Sequence, residues 1–282
     1  MVRAGLLLAL VAAPALAQAP PAGPAPAAQP QPEQKRMDPE LWRHLQAWEA
    51  VMKGAGNFVS ERGTKTDDDA RLGKKVFEAT IWCLKPNLAR MSLAPRQPAG
   101  QKPDPNQETT IICDGRAVYE YEAPKQTLTE YPLGPNGGVG DNLLLEFVSG
   151  SITAFQASQR FGIDWKNPQD PTYLYLELTP LLGKDQAEFD KLTLVLVKPG
   201  LPAPFNQSAY LPRTAVLTKA FAQKTETWDF PAPMLNAVKP GGQPIGPGDF
   251  RRVEPPKGWK VDKGGQAPMP PAGPKAPRPG RP

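Results

Sequence analysis

Side chains that could carry acid–base or metal chemistry are few in this sequence. His44 is the only histidine among the 282 residues. A catalytic triad or a histidine-based metal site needs an imidazole that titrates near neutrality and has partners close by. A single histidine on a predicted helix is more often a solvated surface residue, and we expect that of His44. We therefore predict a protein that is not an enzyme and that holds no cofactor and no metal.

The two cysteines, Cys83 and Cys113, leave two alternatives open. An oxidising compartment would allow a disulfide between them. In an antiparallel meander, however, they fall on the second and fourth strands, about 9–10 Å apart across the sheet. That distance exceeds the usual reach of a disulfide, so two buried thiols are favoured over a bridge.

Two further segments resemble functional motifs without matching them. The run from Gly134 to Gly140 is rich in glycine, but no Walker lysine follows it and no βαβ unit surrounds it, so we interpret it as a flexible loop. The acidic run Asp67-Asp68-Asp69 is interpreted as a solvated turn rather than a calcium site.

The ends of the chain differ in composition from its middle. Residues 1–19 contain Arg3, an apolar run from Leu6 to Ala13, and an Ala15-Leu16-Ala17 cleavage site, which together indicate a secretory signal peptide. A second candidate cleavage site is Ala17-Gln18-Ala19. No cysteine stands directly after the apolar run, as a lipobox would require, so we expect a mature protein that is periplasmic or otherwise exported, soluble and without a membrane span. Residues 20–36 and 231–282 are rich in proline and alanine or glycine, and their composition predicts disorder.

The positive charge of the chain belongs to these ends. The whole sequence carries a net charge of +5, whereas residues 38–230 have 21 basic and 24 acidic residues. The folded part is thus mildly acidic, which argues against a nucleic-acid partner. It is predicted to be one domain, residues 37–230.

Periodicity within this domain predicts an α+β fold. Leu41, Leu45, Trp48 and Met52 form one apolar stripe on a helix from Met37 to Met52, with Asp38 as its N-cap. A second helical stretch covers Asn142 to Phe161 and should be broken at Gly150. The remaining periodicity is that of strands, predicted at 58–62, 75–85, 89–94, 109–113, 117–122, 127–131, 173–179, 191–197, 210–217 and 225–230.

Two segments carry a resemblance to a known family. Residues 77–93, FEATIWCLKPNLARMSL, and residues 110–133, TIICDGRAVYEYEAPKQTLTEYPL, resemble the strand–turn–strand segments of the outer-membrane lipoprotein carrier (LolA) family. The segment from Pro255 to Lys260, PPKGWK, is similar to an uncharacterised LolA-like domain of planctomycetes.

The resemblance implies a large antiparallel sheet that forms an unclosed β-barrel, with helices covering its concave face and an apolar cavity for acyl chains. Lys85 stands where that family has an arginine that latches the lid helices by hydrogen bonds to backbone. Lysine offers a point charge instead of a planar fork. The expected lining of the cavity consists of Phe77, Ile81, Met91, Leu93, Ile111, Tyr119 and Tyr121, with Leu144 and Phe147 on the lid.

Two functions follow as hypotheses. The first is an exported, non-catalytic envelope protein that binds a lipid, or the acyl chains of a lipoprotein, in an apolar cleft. The alternative is a structural or sensory module on the same fold that binds an envelope protein partner. For each predicted lining residue, a role in the ordinary hydrophobic core remains the competing interpretation.

Overall fold

Helix α1 (Pro39–Gly54) forms where the apolar stripe predicts it. The Asp38 carboxylate accepts hydrogen bonds from the backbone N–H groups of Glu40 (2.7 Å) and Leu41 (3.4 Å), which satisfies donors that the first helical turn leaves unpaired. The stripe residues are all buried at the centre of the domain: Leu41, Leu45, Trp48 and Met52. The computed structural model describes residues 37–98, 101, 104–133, 143–202, 208–219, 223–239 and 241–264. The predicted signal peptide, N-terminal linker and glycine-rich loop lie outside these ranges.

The described strands form one sheet of 13 strands. They are β1 (Asn57–Asp69), β2 (Gly73–Leu84), β3 (Leu88–Pro95), β4 (Thr109–Cys113), β5 (Ala117–Glu122), β6 (Thr127–Pro132), β7 (Phe161–Lys166), β8 (Tyr173–Pro180), β9 (Lys191–Val197), β10 (Pro212–Lys219), β11 (Lys224–Asp229), β12 (Met234–Leu235) and β13 (Lys260–Lys263). The meander β1–β6 and the meander β7–β11 join where β1 pairs with β11.

The sheet does not close on itself, because its order runs from β13 at one edge to β7 at the other. All pairs along it are antiparallel except β13 with β6, which is parallel. We call the face on which α1 packs the inner face, and the opposite one the outer face. The predicted α+β class, with an unclosed antiparallel sheet covered by helices on one side, is confirmed.

Short helices follow β6. The predicted break at Gly150 separates α2 (Leu143–Ser149) from α3 (Ala154–Arg160), and Thr153 caps α3 through a capping box. Gly150 has φ +66°, and a Cβ there would lie 2.5 Å from the Cβ of Met52, so only glycine permits this approach of α1. The end of the predicted helix is wrong, because Phe161 already belongs to β7. A further short helix, α4 (Gly183–Gln186), follows β8.

The predicted domain end at Phe230 is also wrong. The described residues 231–239 and 241–264, which we call the strap, cross the outer face from β1 to β6. Ile245 and Phe250 pack there against Val59 and Trp82, and Trp259 packs beside Tyr119 and Tyr121. The strap is too poor in apolar residues to build a core of its own, and for this reason its composition predicts disorder. It needs only a few anchors because the sheet already supplies an apolar surface.

Candidate ligand-binding face

The inner face of β2, β3 and β4 is built from successive rows of side chains that lie side by side across the strands. Beside the end of α1 the row is Cys83, Ala89 and Cys113. The next row is Ile81, Met91 and Ile111, followed by Ala79, Leu93 and Thr109, and then by Phe77 and Pro95. The structure thus brings Phe77, Ile81, Met91, Leu93 and Ile111 onto one surface.

Along each of these strands, the side chains of the inner face become less buried from the row of Cys83 toward the row of Phe77. Ile81 is 1% exposed and Met91 is 6% exposed, and both belong to the core cluster that includes Leu144 and Phe147 of α2. Leu93 and Ile111 are only partly buried against that cluster, and Phe77 is half-buried. The apolar surface therefore extends beyond the part that the helices fill.

Tyr119 and Tyr121 do not belong to this face. They lie opposite Ile112 and Thr110 on β4 and are buried on the outer face with Leu128. Side chains alternate along β5, so the inner positions are those of Val118 and Glu120. The prediction that these tyrosines line the same cleft as Met91 is wrong. Aromatic character alone does not decide on which face of the sheet a side chain lies.

Lys85 contacts the helix layer at a backbone atom. Its ammonium group donates a hydrogen bond to the carbonyl oxygen of Met52, in the last turn of α1, and its own N–H donates to the Gly56 carbonyl oxygen (3.1 Å). A cation at a helix C-terminus is favourable because the unpaired carbonyls carry partial negative charge. Burial, and then the nearby charge of Lys53, lower the pKa of Lys85 below its ordinary value. This contact is with α1, whereas Leu144 and Phe147 lie on α2.

A polar cluster borders the far end of the apolar rows. The ammonium group of Lys65 lies 3.0 Å from an Asp67 carboxylate oxygen and 3.4 Å from one of Glu226. It also lies 5.8 Å from the ring centroid of Phe77 and 5.6 Å from that of Trp228. The expected solvated turn at Asp67 is thus wrong, since this residue lies within β1. The alternation Lys65–Thr66–Asp67 was the available indication of a strand with one charged face.

Glu120 extends the row of Ile111 onto β5. Burial, and then the charge of Glu122, raise the pKa of Glu120 above its ordinary value. The Tyr131 hydroxyl donates a hydrogen bond of 3.4 Å to its carboxylate. The inner face therefore has a titratable group beside its apolar surface.

An ionic cluster fixes the short helices. The Arg160 guanidinium, at the end of α3, donates to Glu146 of α2 (2.6 Å) and to Asp185 of α4 (2.7 Å and 3.2 Å). The side chains of Glu146 and Asp185 are only 11% and 3% exposed. Pairs so deeply buried bind firmly but remain costly to desolvate. The Arg160 guanidinium thus connects α2 and α4 to the end of α3.

His44 is not the solvated residue expected from the sequence. Its Nδ1 lies 3.1 Å from the Tyr210 hydroxyl, and its ring packs edge-on against Trp165 at 5.3 Å. No group of three or more His, Cys, Asp or Glu side chains that could hold a metal ion occurs in the part of the chain that the structure describes. None of the helices within the described ranges has the length and apolar character that a membrane crossing requires.

The cysteines are two buried thiols, with no disulfide between them. Burial raises the pKa of the Cys83 thiol to about 12. The Cys113 thiol donates to the carbonyl oxygen of Asn87 at 3.3 Å. Ala89 of β3 lies between the two cysteines in the same cross-strand row, so β3 separates Cys83 on β2 from Cys113 on β4.

Comparison with known proteins gives similar structures but no sequence match. The sequence matches no family model and no curated protein. An uncharacterised conserved protein from Thermus thermophilus is similar with a TM-score of 0.41 and 10% identity, over 79% of this chain and 97% of that one. A putative outer-membrane lipoprotein-sorting protein domain from Vibrio parahaemolyticus gives 0.35 and 8%, over 71% and 93%.

A LolA superfamily protein from Nitrosomonas europaea gives a TM-score of 0.30 and 10% identity, over 70% of this chain and 94% of that one. The similar structures thus include the superfamily named from the sequence, and none of these three bears on the planctomycete-type domain. At TM-scores below 0.5 they carry no conclusion about function.

Proposed function

We propose that this protein is an exported, non-catalytic protein of the cell envelope, located in the periplasm or its equivalent, and that its inner face binds a lipid or the acyl chains of a lipoprotein. The observation that carries the proposal is the decrease in burial along the inner rows. Ile81 and Met91 are covered by the helices, whereas Leu93, Ile111 and Phe77 continue the same apolar surface while half-buried. A continuous apolar surface that is only partly covered by the protein's own side chains is suited to an apolar ligand.

The polar cluster around Lys65 would orient such a ligand. An acyl chain would lie over Leu93 and Ile111, and its polar end would lie toward Lys65. Each methylene transferred from water contributes about 0.8 kcal/mol, so ten of them contribute about 8 kcal/mol before the cost of association. The Phe77 ring lies between the apolar surface and the Lys65 ammonium.

Native mass spectrometry and lipid extraction of the purified protein test the proposal, together with uptake of a fluorescent fatty acid. Leu93→Gln should weaken uptake about tenfold, because it places an amide on the apolar surface. Ser92→Gln is the matched control, since Ser92 lies on the outer face beside Thr110 and should leave uptake unchanged. Protein that carries no lipid and takes none up would contradict the proposal.

Export has its own test. N-terminal sequencing of the secreted or periplasmic protein should show cleavage after Ala17 or Ala19. A mature chain that begins at Met1 would contradict the signal peptide and leave the ligand hypothesis unaffected.

A protein-binding module is the second candidate. The edge strand β7 ends the sheet order without a further described strand beside it, and such an edge can accept an added strand from a partner. Absence of lipid, together with binding of an extended peptide that perturbs β7 amide resonances, would favour this candidate over the first.

A further inference from the structure

A groove of about 290 Å³ lies on the outer face, between the strap and strands β3, β4 and β5. Its apolar wall consists of Ile112, Tyr121, Val253, Pro255, Pro256 and Trp259. The groove is separate from the inner face, because Tyr121 and Ile112 point away from the row of Met91 and Ile111.

The wall is held rigidly by one side chain. The Tyr121 hydroxyl donates to the Val253 carbonyl oxygen (2.7 Å) and accepts from the Val253 N–H (2.9 Å), so both backbone groups of this strap residue are used. The tyrosine ring is thereby fixed beside Trp259. A fixed surface loses little entropy when a ligand binds.

This wall has the chemistry that recognises polyproline. Grooves lined by aromatic rings and prolines bind extended proline-rich segments, which are already in the polyproline II conformation and lose little freedom on docking. The groove also contains the carboxylates of Glu108, from the sheet side, and Glu254, from the strap. The Glu254 side chain pairs with Arg252 but is 82% exposed, so a cation on the ligand can still approach it.

The chain itself contains a segment of that composition. We propose that residues 265–282 of the same molecule dock in this groove. They include the sequence from Pro268 to Pro271, PMPP, and the later residues Lys275, Arg278 and Arg281. The prolines match the aromatic wall, and the cations match Glu108 and Glu254. Arg90, the cation of the groove, has the Asp249 carboxylate in its vicinity, which reduces its repulsion of a basic segment.

The segment begins close enough to the groove to reach it. The N–H of Gly264 donates to the Glu130 carbonyl oxygen (2.9 Å), which fixes the chain at the end of β13. Trp259 lies about 17 Å back along this strand, at about 3.3 Å per residue. A polyproline segment covers that distance in about six residues, so residues from Pro270 onward reach the groove. A tether of this length gives an effective concentration in the millimolar range.

Fluorine NMR of the full-length chain, labelled with 5-fluorotryptophan, tests the proposal. The chain has six tryptophans, and Trp259→Phe assigns the resonance of interest. Replacing Pro270, Pro271, Pro274 and Pro277 by Ser should shift the Trp259 resonance and leave the other five unchanged. The matched control replaces Pro21, Pro24, Pro26 and Pro30 by Ser, and should shift none of them.

Binding of the segment added separately provides the second measurement. A synthetic peptide of residues 265–282, titrated into the full-length tail variant, should return the Trp259 resonance to its wild-type position. Glu108→Gln with Glu254→Gln in that variant should weaken binding of the peptide by about three- to tenfold, as expected for the loss of two solvent-accessible charge pairs. An identical Trp259 resonance in the wild type and the tail variant would overturn the proposal. A wild-type resonance that depends on protein concentration would overturn docking within one molecule in favour of docking between copies.

Discussion

His44 illustrates how burial sets the properties of single residues in this domain. Its ring lies against Trp165 and its Nδ1 faces the Tyr210 hydroxyl. Burial lowers the pKa of His44 below its ordinary value of 6.5, an effect only partly offset by Glu40. The neutral imidazole is thus the form that the folded protein favours.

We therefore predict that the stability of the protein decreases as the pH falls through the region just below 6.5. The unfolded chain, with the higher histidine pKa, binds more protons there than the folded one, so acid favours unfolding. NMR titration of the single imidazole should give a pKa below 6.5, and Tyr210→Phe should leave it low because the ring stays buried. A pKa of 6.5 or higher in the wild type would refute the assignment of burial as the cause.

The thiols permit a second prediction at this scale. Both cysteines are 3% exposed, and the pKa of Cys83 is raised to about 12. Neither should therefore react with Ellman's reagent in the native protein at pH 8, since the reagent needs access to an exposed thiolate. In guanidinium chloride without a reductant, two equivalents should react. One or no equivalent after denaturation would show that the cysteines are bridged or already oxidised.

At the scale of elements, a few polar contacts at the ends of the helices α1, α2 and α3 help to position them. Lys85 donates to the end of α1, and Arg160 connects α2 with α3 and α4. Gly150 allows the turn after α2 to approach Met52. The helix layer is therefore held by a few specific contacts in addition to its apolar core.

Arg160→Met should lower the free energy of unfolding by about 3–5 kcal/mol at pH 7, because the Glu146 and Asp185 carboxylates lose the guanidinium they share. Urea denaturation at pH 7 measures the loss. Lys53→Met is the control, since Lys53 forms an exposed pair with Glu49 and should cost less than about 1 kcal/mol. Equal losses in the two variants would contradict a structural role for the buried cluster.

The periodic elements could be predicted from the sequence, and their long-range arrangement could not. The stripe from Leu41 to Met52 and the alternation along β2 and β3 predict elements that the structure contains, because one side of each is buried. Alternation also predicts that Tyr119 and Tyr121 share a face, but not which face, since both faces of this part of the sheet are covered. β7 was missed because its first residue, Phe161, continues the helical apolar spacing of the preceding residues.

At the scale of the whole molecule, the strap changes the architecture of the sheet. It covers the outer face through Ile245, Phe250 and Trp259, and its β13 extends the sheet beyond β6. The new edge carries Lys260, Asp262 and Lys263, and charged residues at an edge discourage pairing with other molecules. Parts of the outer face of the first meander are thus buried in two small apolar clusters beneath the strap.

Phe250→Ala should lower the free energy of unfolding by about 3–5 kcal/mol, the cost of removing a fully buried aromatic side chain. Phe250 is 0% exposed, whereas the side chain of Val253, three residues later, is 52% exposed. Val253→Ala keeps the backbone bonds to Tyr121 and should cost less than about 0.5 kcal/mol. Chemical denaturation of both variants measures these changes in the free energy of unfolding. A Phe250→Ala protein as stable as the wild type would show that the strap contributes little to folding.

The parallel pairing of β13 with β6 has a consequence for how the chain folds. It joins residues 127–130 to residues 260–263, so about 130 residues must be synthesised after β6 before its partner strand exists. Contacts of such high sequence separation slow folding, because the loop between them has to close first. A nascent chain would therefore expose the edge of β6 and the apolar outer face until nearly the whole domain has been made, which leaves a long interval in which a chaperone or a translocation machinery can hold it unfolded.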